Sequence, residues 1–334
     1  MPAAKQVIAL LAGHLEGNEE RVRTVALQIA ASEARQGHVK NAEMLRRLLD
    51  ASPREAAAVT AAPTSLLVKT RGDLEGLITV AQPKTRLADM TLTTTVQGRL
   101  DRMVRQQVSR GRLREHALRP SSKLLLVGPP GSGKTLTASA IAGELHLPLF
   151  TIRLDAVITR FLGETATKLR AVFDQIAQMR GIYLFDEFDA LGGKRSAGND
   201  VGEIRRVLNS FLQFLEEPNA TDSIIVAATN HPELLDRALI RRFDEIIEYG
   251  LPDAEGVRDI VRRRLGKLAG RSLDWSLIAE AAHGLSQGEV SRAVEEALRE
   301  AILSNRKTVD QISLVTALDA RRGMREAMAD IFNE

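Results

Sequence analysis

The sequence predicts an α/β fold: a parallel sheet covered by helices, with a small helical module ahead of it and an all-helical segment behind. Three observations carry this. Five compact apolar runs, KLLLVG (123–128), PLFTIRL (148–154), GIYLFDE (181–187), SIIVAATN (223–230) and EIIEYGL (245–251), are separated by helical patterns. Strands alternating with helices are the signature of parallel pairing with crossover helices. Residues 253–334 have no strand pattern and read as about four helices, broken at Gly270, Gly284 and near Lys307. Residues 4–50 place Val22, Val25 and Ile29, then Val39, Ala42, Leu45 and Leu49, at helical spacing,.

Taken in order, residues 1–50 form a helical hairpin module, with a helix start at Asn18 and a break at Gly37,. Residues 51–82 read as a linker, its first part (ASPREAAAVTAAPTS, 51–65) rich in Ala, Pro, Ser and Thr,. Residues 83–252 are the large α/β subdomain and 253–334 the helical one. No internal repeat is present.

Composition bounds the function classes. The chain is 44% hydrophobic and 27% charged, the balance of a soluble globular protein with a real core,. Aromatics are only 4%, so the core is expected to be mostly Leu, Ile, Val and Ala. A net charge of +3 neither demands nor excludes nucleic acid,. With no cysteine there is no disulfide or thiolate metal site, which is compatible with a reducing compartment,. The first residues, MPAAKQVIALLAGHLEG, meet His14 and Glu16 at once and read as an amphipathic helix rather than a leader,. No 18 apolar residues run together, so no membrane span is expected, and the location expected is cytoplasmic,.

The run Gly128-Pro129-Pro130-Gly131-Ser132-Gly133-Lys134-Thr135 fits G-x-x-x-x-G-K-[ST]. It follows an apolar strand and precedes a helix opening at Leu136, the context that this phosphate loop requires. Gly128, Gly131 and Gly133 let backbone N–H groups wrap a phosphate at the positive end of a helix. Lys134 would neutralise the β- and γ-phosphates, and Thr135 would ligate Mg²⁺. A glycine-rich turn with an incidental lysine is the bland alternative, and the strand–loop–helix context argues against it.

IYLFDEFDAL (182–191) supplies the second half. A buried strand ending in Asp186-Glu187 holds two carboxylates at the sheet edge where ligands bind in open α/β sheets. Asp186 suits a metal contact, and Glu187 suits activating a water. Asp189 reads as a helix cap. Asn230 ends the next strand, where it can face the γ-phosphate or merely make a turn. Arg241 and Arg242 stand just before the last strand, and by themselves would read as a solvated face.

In this order GPPGSGKT, FDEFDAL, AATN and LDRALIRRFD resemble the AAA+ ATPases, and among them the AAA clade itself, over about residues 85–300. The resemblance implies a P-loop NTPase fold whose helical C-terminal part is a lid, and ATP as substrate with Mg²⁺. It also implies a ring, usually a hexamer, with ATP sites between subunits. Asn230 then corresponds to sensor 1, and Arg241 and Arg242 to arginine fingers acting on a neighbour's site. The family commonly separates those two arginines, whereas here they are adjacent, so either can be the finger. Gly288 stands where other clades carry a sensor-2 arginine; Arg292 lies one turn on. PKTRLADMTL (83–92) resembles the stretch that passes the adenine, with backbone around Ala88–Met90 against the base.

RFLGET (160–165) matches the family's aromatic-x-Gly-Glu loop, which faces the ring channel. Phe161 and Leu162 would grip an extended chain by apolar contact without reading its sequence, and Gly163 would let the loop move. The other reading puts Phe161 and Leu162 on the core face of the following helix. Residues 192–212 would be a second, polar loop and then a helix, with Arg205 and Arg206 at a subunit boundary or on a solvated face. These features imply a polypeptide unfoldase or remodeller, with module 1–50 recruiting substrate or partner. No HExxH pair and no cysteine nucleophile is present and no G-x-S-x-G serine elbow is expected, so proteolysis would come from another chain. The layout resembles bacterial AAA ATPases encoded beside a subtilisin-like serine protease, in two-gene systems of phage defence or plasmid incompatibility. The rival class is a nucleic-acid machine. It rests on residues 98–123, with eight Lys/Arg against two Asp/Glu,, but no aromatic interleaving for base stacking accompanies them. Nucleic acid is therefore not the favoured partner.

Overall fold

The computed structural model describes residue 74 and residues 76–157, 162–191, 201–270 and 273–333. The chain divides into two units, Met1–Val68 and Lys69–Glu334, and the description concerns the second. The expected module 1–50 lies outside the described residues.

Six strands form one sheet: β1 (Ile78–Ala81), β2 (Lys123–Val127), β3 (Leu149–Ile152), β4 (Ile182–Phe185), β5 (Ile224–Thr229) and β6 (Glu245–Glu248), in the order β1-β3-β4-β5-β2-β6. The five expected strands are all there and pair in parallel. β1 is a correction. The segment 51–82 reads as a linker, but its Ile78–Ala81 pair antiparallel with β3, Ile78 opposite Ile152. Four residues on an edge, followed at once by Pro83, carry too little period to be read locally; pairing to β3 makes them a strand. β4 and β5 are buried along their whole length, as a sheet covered on both faces requires.

One face packs α1 (Thr94–Val108) and α3 (Lys134–Leu145) against Leu124, Leu126, Leu184 and Val226, an aliphatic core. The short α2 (Arg110–Glu115) follows α1. The core is mostly Leu, Ile, Val and Ala, as expected, but the other face carries a cluster of aromatic rings. There Phe173 of α5 (Leu162–Gln178) and Phe211 of α6 (Val201–Glu216) meet Phe185 of β4, at 6.1 and 5.3 Å between ring centres. Phe188 and Phe214 join them. A scarce residue type has been concentrated in one layer.

The short helices α4 (Leu154–Val157) and α7 (Arg237–Ile240) connect elements of the sheet. Beyond β6 come four helices: α8 (Ala254–Leu265), α9 (Trp275–Ala281), α10 (Gln287–Leu303) and α11 (Gln311–Asn333). They bury their own cluster, Val257, Val261, Ile278, Val290, Val294, Leu314 and Leu318 among its members. Asp253, Asp274 and Ser286 cap the first three, each side chain accepting from first-turn amides,. No helix among the described residues is long and apolar enough to cross a membrane.

Candidate functional site

Parallel pairing places the C-terminal ends of β2, β5 and β4 side by side. The phosphate-type loop follows β2, Asn230 follows β5, and Asp186-Glu187 follows β4. A cleft of about 620 Å³ opens at this edge. Its walls include Pro130, Lys134, Thr135, Leu136, Asp186, Glu187 and Asn230 from the sheet side, with Gly288 and Arg292 from α10. Asp89, Met90 and Thr91 close it from the segment before α1.

Two glycines of the loop are dictated by geometry. A Cβ on Gly128 would lie 2.5 Å from the Tyr249 carbonyl oxygen. Gly131 has φ +75°, and a Cβ there would lie 2.8 Å from Ser286 Oγ,. Pro129 accepts from the Ser132 amide, and Ser132 is buried beneath the turn. Gly133, at φ +98°, is the N-cap of α3.

Lys134 is nearly buried and folds back over the loop. Its Nζ donates to Gly128 O (2.8 Å), Pro129 O (2.9 Å) and Asn230 Oδ1 (2.7 Å). Burial lowers its pKa, and the nearby Asp186 and Asp189 carboxylates oppose that shift,. Thr135 Oγ1 donates to Asp186 Oδ2 at 2.7 Å. A hydroxyl and a carboxylate at one point are the oxygen donors that a hard divalent cation takes. Glu187 is exposed and has φ +51°, left-handed backbone that a glutamate rarely adopts,. Gly288 N donates to Gly131 O at 2.8 Å, so the start of α10 rests on the loop.

The sequence-predicted Pro130, Gly131, Gly133, Lys134, Thr135, Leu136, Asp186, Glu187, Asn230 and Gly288 thus line one cleft, with Gly128, Pro129 and Ser132 beneath it. Arg241 and Arg242 do not reach it. Arg242 pairs with Glu216. Arg241 is exposed and its side chain has no partner among the described residues. Phe161 lies outside the described residues. The helix opens at Leu162, so Leu162 and Gly163 lie in the first turn of α5. Asp189 is also corrected. It caps no helix but sits in a 3-10 turn, Phe188–Leu191, and accepts from Thr229 Oγ1 at 2.9 Å.

Several contributors had no local signal. Glu144 of α3 accepts from the Leu87 amide (3.1 Å) and from Arg86, which fixes the segment beside Ala88–Met90. Arg263 of α8 donates to Ala88 O. Each joins residues far apart in the chain. Gly284-Leu285-Ser286-Gln287-Gly288 does spell G-x-S-x-G, the serine-hydrolase elbow, but it joins two helices instead of a strand and a helix,. Ser286 Oγ donates to Glu289 Oε2 at 2.7 Å as part of a capping box. The basic run is partly neutralised: Arg99 and Arg102 pair with Glu245, and Arg110 and Arg114 with Asp222. Among the described residues no group of three or more His, Asp or Glu could hold a metal.

The family model described as ATPase family associated with various cellular activities (AAA) matches residues 124–251. An uncharacterized AAA family ATPase, y4kL of Sinorhizobium fredii, is 34% identical over 315 residues, covering 93% of this chain and 94% of that protein. The ATP-dependent zinc metalloprotease FtsH 4 of Sphaerobacter thermophilus is 36% identical over 248 residues, covering 71% of this chain and 37% of that protein. FtsH 1 of Methylacidiphilum infernorum is 38% identical over 203 residues, 59% of this chain and 32% of that protein. The chain therefore spans only about a third of the FtsH relatives' length. Matched nearly end to end by one of these proteins, and by the AAA family model over residues 124–251, the chain belongs to the AAA family of ATPases.

Proposed function

We propose that this ATPase works as a ring, usually a hexamer in this family, that threads polypeptide through a central pore. It would serve a separate subtilisin-like serine protease in bacterial defence. The observation that carries the ring is the arginine placement. Arg241 is exposed and unpartnered among the described residues, and it stands outside its own subunit's cleft. A guanidinium so placed can act on a phosphate only in a neighbour's cleft. The relatives named as ATP-dependent metalloproteases support a polypeptide substrate. The pairing of four arginines of the basic run with Glu245 and Asp222 weighs against nucleic acid.

Within one subunit the proposed roles are these. The loop amides and Lys134 bind the β- and γ-phosphates. Thr135 and Asp186 would hold Mg²⁺, which would supply charge neutralisation at the phosphates. Glu187 takes a proton from the attacking water, and Asn230, bonded to Lys134, orients the γ-phosphate side of the site,. Gly288 and Ala88–Met90 border the nucleoside.

The test is to trap the loaded state. Glu187→Gln should keep ATP binding and stop hydrolysis. That variant, purified from cells with and without Phe161→Ala, is analysed by mass spectrometry and nucleic-acid staining. Proteins retained only when Phe161 is present support threading, and a serine protease among them supports the defence pairing. Nucleic acid retained regardless of Phe161 overturns the reading in favour of a nucleic-acid motor.

A further inference from the structure

The geometry points to Tyr249 as a positioning residue that ties the root of the lid to the phosphate loop. Tyr249 directly follows β6 and opens the connection Tyr249-Gly250-Leu251-Pro252-Asp253, the covalent path from the described sheet to α8. It touches the phosphate loop at both ends. At the start, its amide donates to Val127 O (2.7 Å), and its carbonyl lies where a side chain on Gly128 would have to go. Beyond the end, its hydroxyl lies 2.6 Å from Thr137 Oγ1 in the first turn of α3. Both residues are buried.

The proton can be placed. Thr137 Oγ1 has one hydrogen, and Gly133 O at 3.0 Å, which only accepts, is a better acceptor than Met90 Sδ at 3.9 Å,. Thr137 therefore gives its proton to Gly133 O, the residue before Lys134, and Tyr249 is the donor to Thr137. Burial pushes the Tyr249 hydroxyl pKa up to about 12, so that donor stays protonated throughout the physiological range,. The chain of contacts runs from the lid hinge through Tyr249 and Thr137 to the backbone of the phosphate loop, with Met90 of the base-side wall against Thr137. The lid touches the same loop again through Gly288 N on Gly131 O.

Two anchors on one loop fix how the lid approaches the phosphates. Without the Tyr249 hydroxyl the hinge root can turn relative to α3, and closure over bound nucleotide becomes less productive. The effect belongs in turnover rather than in ground-state affinity. The inference rests on the cleft being the nucleotide site.

The experiment compares wild type, Tyr249→Phe, Thr137→Val, the double variant and the conservative Thr137→Ser. It reads kcat and KM for ATP, the Kd of a non-hydrolysable ATP analogue, and hydrogen exchange of the amides at 250–257 with and without that analogue. Each single variant should lose about five- to tenfold in kcat, the equivalent of one buried hydrogen bond, with KM and Kd nearly unchanged. Nucleotide-induced protection of the hinge amides should fall. The double variant should be no worse than either single one, and Thr137→Ser should behave as wild type. Unchanged kcat and hinge protection, with only a lowered melting temperature, would overturn the role of Tyr249, as would additive losses in the double variant. Analogue binding that Lys134→Ala leaves intact would instead overturn the site itself.

Discussion

At the residue scale, the site spends stability on preorganisation. Lys134 is held among carbonyl and amide oxygens at 2.7–2.9 Å while burial disfavours its charge. Between that lowered pKa and the ordinary 10.5 the unfolded chain binds more protons than the folded one. The lysine's contribution to stability therefore rises with pH in that window. Phosphate binding goes the other way, because it needs the cation. ADP affinity, titrated from neutral into alkaline pH, should fall earlier than for an ordinary lysine, and Lys134→Ala should remove the slope with the affinity. Glu187 in left-handed backbone costs about 1 kcal/mol,. Glu187→Gly should therefore be no less stable by denaturant titration, yet lose hydrolysis by at least about a hundredfold, as a general base would.

At the scale of elements, caps and close approaches decide where the helices point. Ser286 begins α10 and lies beside Gly131. Ser286→Ala should cost about 1 kcal/mol in unfolding free energy through the lost cap. Gly131→Ala must displace Ser286 or distort a left-handed turn. It should therefore weaken ATP-analogue binding while leaving the thermal stability of the α8–α11 bundle nearly intact. The aromatic face is the other element-scale device. Phe211 touches Phe173, Phe185 and Phe188, and Phe211→Ala should cost about 3–5 kcal/mol by the cavity it leaves. Neither the aromatic layer nor the edge strand β1 was legible locally. Phe173 and Phe211 are almost forty residues apart in the chain, and ITVA is only four residues long.

At the scale of the whole molecule, the role proposed for Arg241 predicts that activity belongs to an assembly rather than to one chain. Arg241→Ala should keep analogue binding and lose most hydrolysis. Mixed with Lys134→Ala chains, whose own clefts are empty but whose arginines are intact, it should regain part of the lost rate. Turnover in a mixture that stays at the sum of the two variants would argue for sites complete within one chain. The sequence by itself determined the five parallel strands, the helical C-terminal segment, the phosphate loop and the Asp186-Glu187 pair. Each of these is written in contiguous residues whose period or spacing has a local physical cause. Tertiary structure alone decided that Asn230 holds Lys134, that Asp189 serves Thr229, that Glu144 and Arg263 brace the segment Arg86–Ala88, and that Tyr249 meets Thr137. These contacts join residues separated by 40 to 175 positions. Only the tertiary fold brings them within hydrogen-bond reach, and no local pattern records such a pairing.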